Sequence, residues 1–142
     1  MQPFRDGATF AVLAFLFSAN ATDAWNSAEA ASPGGSNAQS VEVVMTDYKF
    51  TPNLLQFRAN MPYRLRLVNN TGRDHSFDAP ELFAAARIAD DDQAKVNKGE
   101  IEVDGGQTVD VKFVPQTPGI YKFQCSHFLH ATFGMTGEAA VQ

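Results

Sequence analysis

Ile120-Tyr-Lys-Phe-Gln-Cys125-Ser-His127-Phe-Leu-His130-Ala-Thr-Phe-Gly-Met135-Thr-Gly-Glu-Ala-Ala-Val141 carries both the rhythm and the chemistry of this chain. Ile120 to Cys125 alternates between apolar and polar residues, and Thr136 to Val141 reads as a closing strand, so residues between them form a loop joining two strands. That loop gathers a thiol at Cys125, imidazoles at His127 and His130, and a thioether at Met135. Cys125 is the single cysteine of the chain, so no internal disulfide can form.

Upstream the same period continues. Tyr63, Leu65 and Leu67 share one face, with Arg64 and Arg66 on the other. Val41, Val43 and Met45 alternate with Glu42, Val44 and Thr46, and Leu54 to Arg58 runs extended after the Pro52-Asn53 turn. Tyr48-Lys49-Phe50 leads into that turn. Asn60-Met61-Pro62 and Asn69-Asn70-Thr71-Gly72 carry turn chemistry. Strands resume at Ile101-Glu102-Val103, turn at Asp104-Gly105-Gly106, and continue through Val109, Val111 and Phe113. Pro80 to about Val96 departs from this pattern. Pro80 and Glu81 suit a first helical turn, and Leu82 to Ile88 has high helix propensity, so a helical insertion interrupted near Asp90 is expected. About seven or eight short strands with one short helical insertion make an all-β sandwich the natural architecture.

The 142 residues suffice for one domain. Residues 1–21 read as a signal peptide: Arg5 at the start, a nearly apolar run from Ala8 to Ala19, and Ala19-Asn20-Ala21 as the small-x-small cleavage pattern. The run is about a dozen residues, short of the roughly 20 that span a bilayer, so no stable membrane insertion is expected after signal removal. Residues 22–40, rich in Ala, Ser, Asn and Gly and containing Trp25, read as a flexible leader. The folded domain is expected at 41–142, in a periplasmic protein. A net charge of -5, with no like-charge block longer than Asp90-Asp91-Asp92, argues against a nucleic-acid partner. The 12 phenylalanines, beside 3 tyrosines and 1 tryptophan, suit a tightly packed β core.

Two imidazoles, a thiolate and a weak thioether form the set that selects type 1 copper. The two sulfurs are soft and favour Cu(I), imidazole serves both oxidation states, and a rigid sandwich blocks rearrangement between them. Within the quoted loop, Cys125 is joined by His127 or His130, while His75 stands far upstream at the end of another strand.

Tyr121-x-Phe-x-Cys125-x4-His130-x4-Met135-x-Gly137 is similar to the ligand loop of cupredoxins of the pseudoazurin and plastocyanin type. Phe50-x-Pro52, followed by Tyr63-x-Leu-x-Leu-x-Asn69 and then His75, resembles that family's path to its first ligand. The resemblance runs from Val41 to Gln142 and implies a cupredoxin-like Greek-key sandwich. It implies one copper ion cycling between Cu(I) and Cu(II), held by His75 and His130 as nitrogen ligands, Cys125 as thiolate and Met135 as axial ligand. His127 is then left outside the ligand set. Ser76 follows His75 where many members carry Asn, and the insertion after Pro80 is longer than in the smallest members. A hydrogen bond between the neighbourhoods of Ser76 and Ser126 is expected to pin the two ligand loops together. Phe128, Leu129, Phe133 and Gly134 are expected to collar the metal, partly as core and partly as a docking patch.

Rival chemistries fit less well. A Cys125–His130 nucleophile pair lacks a recognisable oxyanion loop. A structural zinc site seldom takes Met and would leave its fourth position open. The 3 histidines cannot furnish His75 and His130 and also a second, His-rich copper centre, which excludes a multicopper oxidase within this chain. The expected function is one-electron transfer without catalysis, to a redox partner such as a c-type cytochrome or an oxidase. The alternative is periplasmic copper binding for resistance or delivery; the absence of Met and His from residues 22–40 favours the carrier.

Overall fold

Alternation in sequence becomes alternation in burial. Along Tyr63–Asn69 the residues Tyr63, Leu65, Leu67 and Asn69 are buried, Arg64 is exposed, and Arg66 and Val68 are half-buried. The computed structural model describes residues 32–142. The proposed signal peptide, Trp25 and most of the leader lie outside the described residues.

In chain order the strands are β1 (Gln39–Thr46), β2 (Lys49–Thr51), β3 (Leu54–Phe57), β4 (Tyr63–Asn69) and β5 (His75–Asp78). A short helix α1 (Pro80–Ala84), β6 (Ala86–Ile88) and a 3-10 turn at Asp90–Lys95 follow. The chain ends with β7 (Glu100–Val103), β8 (Thr108–Pro115), β9 (Gly119–Gln124) and β10 (Thr136–Val141). One sheet has the order β2-β1-β4-β8-β6 and the other β3-β10-β9-β5-β7. Only β1–β2 and β9–β10 are neighbours in both sequence and sheet; every other connection crosses between sheets. This is the all-β sandwich with a small helix that the alternation implies, and the cupredoxin-like form of it that the resemblance implies. β1 starts at Gln39, slightly ahead of the Val41 expected from the pattern.

The inner faces meet through aromatic rings. Phe77 of β5 stacks on Phe123 of β9 with centroids 4.6 Å apart, and Phe50 of β2 meets Phe123 edge-on at 5.1 Å. Phe57, Tyr63 and Phe113 form a second group across the sheets. Each buried Phe contributes about 2–3 kcal/mol of hydrophobic stabilisation, which places the rigidity of the sandwich in this layer. Gly137 of β10 lies opposite Phe123, where an added Cβ would come within 2.2 Å of the ring and 2.5 Å of the Asn53 carbonyl oxygen. Only glycine fits there, because both obstacles are parts of the packed scaffold.

Two expectations are corrected. Leu82 to Ile88 does not continue as a helix: α1 stops at Ala84 after burying Leu82 and Phe83, and Ala86–Ile88 pairs antiparallel with β8. A helix of one turn has little stability of its own, whereas the open edge of β8 offers hydrogen bonds and Ile88 packs against the core. Tyr48-Lys49-Phe50 is not merely a lead into a turn, since Lys49–Thr51 returns along β1 with Phe50 opposite Met45. With β2 and β6 the strand segments exceed the expected seven or eight.

Asp92 fastens the insertion to the sheet. Its buried carboxylate accepts hydrogen bonds from Lys95 Nζ at 2.6 Å and from the Lys112 backbone N–H at 2.9 Å. Burial alone would raise its pKa, but the bonds from Lys95 and Lys112 outweigh it and hold the group below the ordinary 3.8. A carboxylate depressed on folding stabilises the protein fully above its unfolded pKa. That contribution is lost as pH falls through 3.8 toward the lower folded value. Replacing Asp92 by Ala is therefore expected to cost about 2 kcal/mol at neutral pH. The difference from the parental protein should shrink on acidification through this window, as read by chemical denaturation at several pH values. An equal deficit at every pH would show that the charge does not matter.

Candidate metal centre

The strand order brings the donors together. β5 lies beside β9, with Asp78 opposite Gln124, so the start of β5 and the residue after β9 reach the same end of the sandwich. His75 begins β5 and Cys125 follows β9 directly. Residues 125–135 then fold into a chain of tight turns. The His130 N–H donates to the His127 carbonyl, and the Met135 N–H donates to the His130 carbonyl, each at 3.0 Å. The Cys125 N–H donates to the Met135 carbonyl at 3.0 Å and closes the loop. Two non-glycine residues beside the site hold positive φ, Leu129 at 65° and Tyr48 at 62°.

Cys125 Sγ lies 3.4 Å from His130 Nδ1 and 3.9 Å from His75 Nδ1. One ligand atom from each of His75, Cys125 and His130 falls within 4.8 Å of the others. Three donors about 2.0–2.3 Å from a common centre in a trigonal array sit about 3.5–4 Å apart, so the spacing suits one transition-metal ion. Met135 is fully buried at the end of the same loop. His127 is drawn elsewhere: its Nε2 is 2.5 Å from Glu102 Oε1, and its ring stacks on that of His130 at 5.7 Å.

The sulfur is held from the His75 side as well. The Ser76 backbone N–H donates to Cys125 Sγ at 3.4 Å. The Ser126 N–H donates to Ser76 Oγ at 2.9 Å, and the two hydroxyl oxygens are 3.0 Å apart. The expected pinning of the two loops by Ser76 and Ser126 is thus present, with Ser76 buried and Ser126 exposed.

Burial lowers the pKa of His75, reinforced by the neighbouring His130 against the pull of Asp47. Burial likewise lowers that of His130, with His127 and Arg73 adding to it. Both imidazoles are therefore neutral at pH 7, the form that binds metal. His75 Nε2 is buried with no hydrogen-bond partner among the described residues, and Asp47 Oδ1 stands 3.9 Å from it. The other nitrogen of this enclosed ring, Nδ1, faces the Cys125 sulfur and is the one placed to meet a metal. The soft sulfur and two neutral imidazoles fit one copper ion.

The collar departs from expectation. Phe128, Leu129 and Phe133 are 87%, 44% and 60% exposed, so none of them is core. They form an apolar rim around the half-buried His130, joined by Tyr48, whose ring meets His130 edge-on at 5.2 Å and Phe133 at 5.1 Å. The loop is closed too tightly by its own backbone bonds for these side chains to turn inward. Tyr48, Asp47, Glu100 and Glu102 all touch this site and were not found from sequence. The alternation of β7 does place Glu100 and Glu102 on one face, but nothing in it points to residues 126 and 127.

Among solved structures, auracyanin B matches with a TM-score of 0.56 at 24% identity, over 76% of this chain and 91% of that one. Reduced auracyanin from Roseiflexus castenholzii matches at 0.57 and 16% identity, over 74% and 98% of the two chains. Auracyanin A of Chloroflexus aurantiacus, described as a blue copper protein, matches at 0.55 and 18% identity, over 74% and 99%. At such identities the likeness is one of fold. No curated protein matches the chain. The model of the cupredoxin-like domain matches residues 7–138. With that match, the two-sheet sandwich and the gathered donors, the chain belongs to the cupredoxin-like family.

Proposed function

We propose that this protein is an exported type 1 copper protein that carries single electrons between redox partners, with His75, Cys125, His130 and Met135 as the ligands. The observation that carries the reading is the juxtaposition of a buried thiol–diimidazole cluster with a half-buried His130 inside an exposed apolar rim. Such a site has an electronic path to the surface through His130. When bound, copper supplies a one-electron couple. The chain keeps both imidazoles neutral, excludes water from Cys125 and holds the donors in place across the change of charge.

Four protein donors leave no open position on the metal, which supports transfer across an interface and not catalysis. Phe128, Leu129 and Phe133 offer a partner a surface that loses water readily, and Glu102 beside His127 adds negative charge at its margin. These features suit a partner with an apolar contact face and basic surroundings, such as a c-type cytochrome. Export follows from the reading of residues 1–21. N-terminal sequencing of secreted material is expected to begin near Thr22, and an intact Met1 would contradict it.

Copper-loaded, oxidised protein is expected to show an intense visible thiolate charge-transfer band, lost in Cys125→Ser. His127→Ala should retain stoichiometric copper and nearly parental colour, whereas His130→Ala should not. The reverse pattern would transfer the ligand role to His127.

Stopped-flow mixing of reduced protein with a basic c-type cytochrome tests the carrier role. A Phe133→Glu variant with an unchanged spectrum should transfer electrons at least about tenfold more slowly, a change corresponding to about 1.4 kcal/mol in the barrier. Slow transfer by the parental protein, with ready release of Cu(I) to a competing chelator, would favour copper handling instead.

A further inference from the structure

A row of side chains joins the face of β7 to the sulfur. The Glu100 carboxylate accepts a hydrogen bond from Ser126 Oγ–H. Ser126 Oγ lies 3.0 Å from Ser76 Oγ, which lies 3.9 Å from Cys125 Sγ. Ser76 Oγ is itself anchored by the Ser126 N–H at 2.9 Å, so only the direction of its own hydroxyl hydrogen remains free.

That hydrogen has two acceptors within reach, an oxygen and a sulfur. An ionised carboxylate accepts and never donates, so Glu100 commits the Ser126 hydrogen to itself and turns a lone pair of Ser126 Oγ toward Ser76. The Ser76 hydrogen then goes to the oxygen at 3.0 Å and not to the sulfur at 3.9 Å. Without the carboxylate, Ser126 can donate to Ser76 Oγ, and Ser76 is released to donate to Cys125.

Hydrogen bonding around the cysteine sulfur is one of the levers that set the potential of such a copper site. A donor to the thiolate withdraws electron density from the bond to Cu(II) and so favours Cu(I). Resting on the copper-site reading above, we infer that Glu100 is a positioning residue. Through Ser126 it steers the Ser76 hydroxyl away from the Cys125 sulfur and holds the reduction potential down. Ser76 is thereby a two-position donor, and the acid that sets its position reaches the sulfur only through two hydroxyls.

The test uses copper-loaded protein and two readouts, the reduction potential by spectroelectrochemical titration and the energy of the thiolate charge-transfer band. Glu100→Ala is expected to raise the potential and move the band to higher energy. Ser126→Ala should do the same while keeping the Glu100 charge, which separates hydroxyl steering from simple loss of a negative charge. Both shifts should disappear when Ser76→Ala is added to either variant. A potential that is unchanged or lowered in Ser126→Ala, or shifts that survive in the Ser76→Ala background, would overturn the inference. Should Glu100→Ala fail to fold, the Ser126→Ala and Ser76→Ala pair decides alone. Absence of the charge-transfer band from the parental protein would overturn the copper reading itself, an outcome distinct from a normal band with no shifts.

Discussion

Three hydrogen bonds hold together segments that are about fifty residues apart in the chain: Ser76 N–H to Cys125 Sγ, Ser126 N–H to Ser76 Oγ, and the contact between the two hydroxyls. They reinforce the β5–β9 pairing, which already sets His75 and Cys125 at the same end of the sandwich. The Cys125 N–H bond to the Met135 carbonyl does the equivalent work within the second loop, extending the β9–β10 pairing by one step. The donors are thus placed by backbone and hydroxyl groups whose positions follow from two adjacent strands. A site arranged in this way needs little reorganisation when the charge of a bound metal changes.

This arrangement is expensive in local terms. His75 is enclosed with Nε2 unpartnered, and an unsatisfied buried polar group costs about 1–3 kcal/mol. Leu129 and Tyr48 hold left-handed backbone conformations that cost about 1 kcal/mol or more each. All three lie at the same end of the sandwich as Cys125. The offset is the aromatic layer of Phe50, Phe77 and Phe123, three buried rings packed edge-on and stacked against one another. Stability and strain are separated in space, and the separation runs along β5 and β9.

The sequence made the long strands visible because Tyr63–Asn69 and Ile120–Gln124 show alternation over several residues, and a half-buried sheet imposes that period. The candidate site was visible because Cys125, His130 and Met135 lie within one loop. Short elements were not: β2 and β6 have too few residues to display a period, and the helix propensity of Leu82 to Ile88 was outweighed by the free edge of β8. Contacts between distant segments were hidden for another reason. Glu100 and Glu102 read as the outward residues of an ordinary strand, and only the order β9-β5-β7 carries them to Ser126 and His127. The exposure of Phe128 and Phe133 also lay beyond composition, since a dense run of Phe suggests core until the loop's backbone bonds are known.

The rim and the acidic edge divide the site's surroundings by function. His130 emerges among Phe128, Leu129, Phe133 and Tyr48, where an approaching protein meets apolar surface and little ordered charge. Glu100 and Glu102 are committed to Ser126 and His127 at the margin of the rim, so their charges are partly spent inside the protein. A partner that docks on the rim need not break those bonds. On the proposed carrier role, docking and the tuning of the sulfur would vary independently: substitutions at Phe128 or Phe133 would alter how often partners meet, and substitutions along Glu100, Ser126 and Ser76 the driving force once they have met. This separation follows from the topology, because the rim belongs to the β9–β10 loop while the acids belong to the edge strand β7.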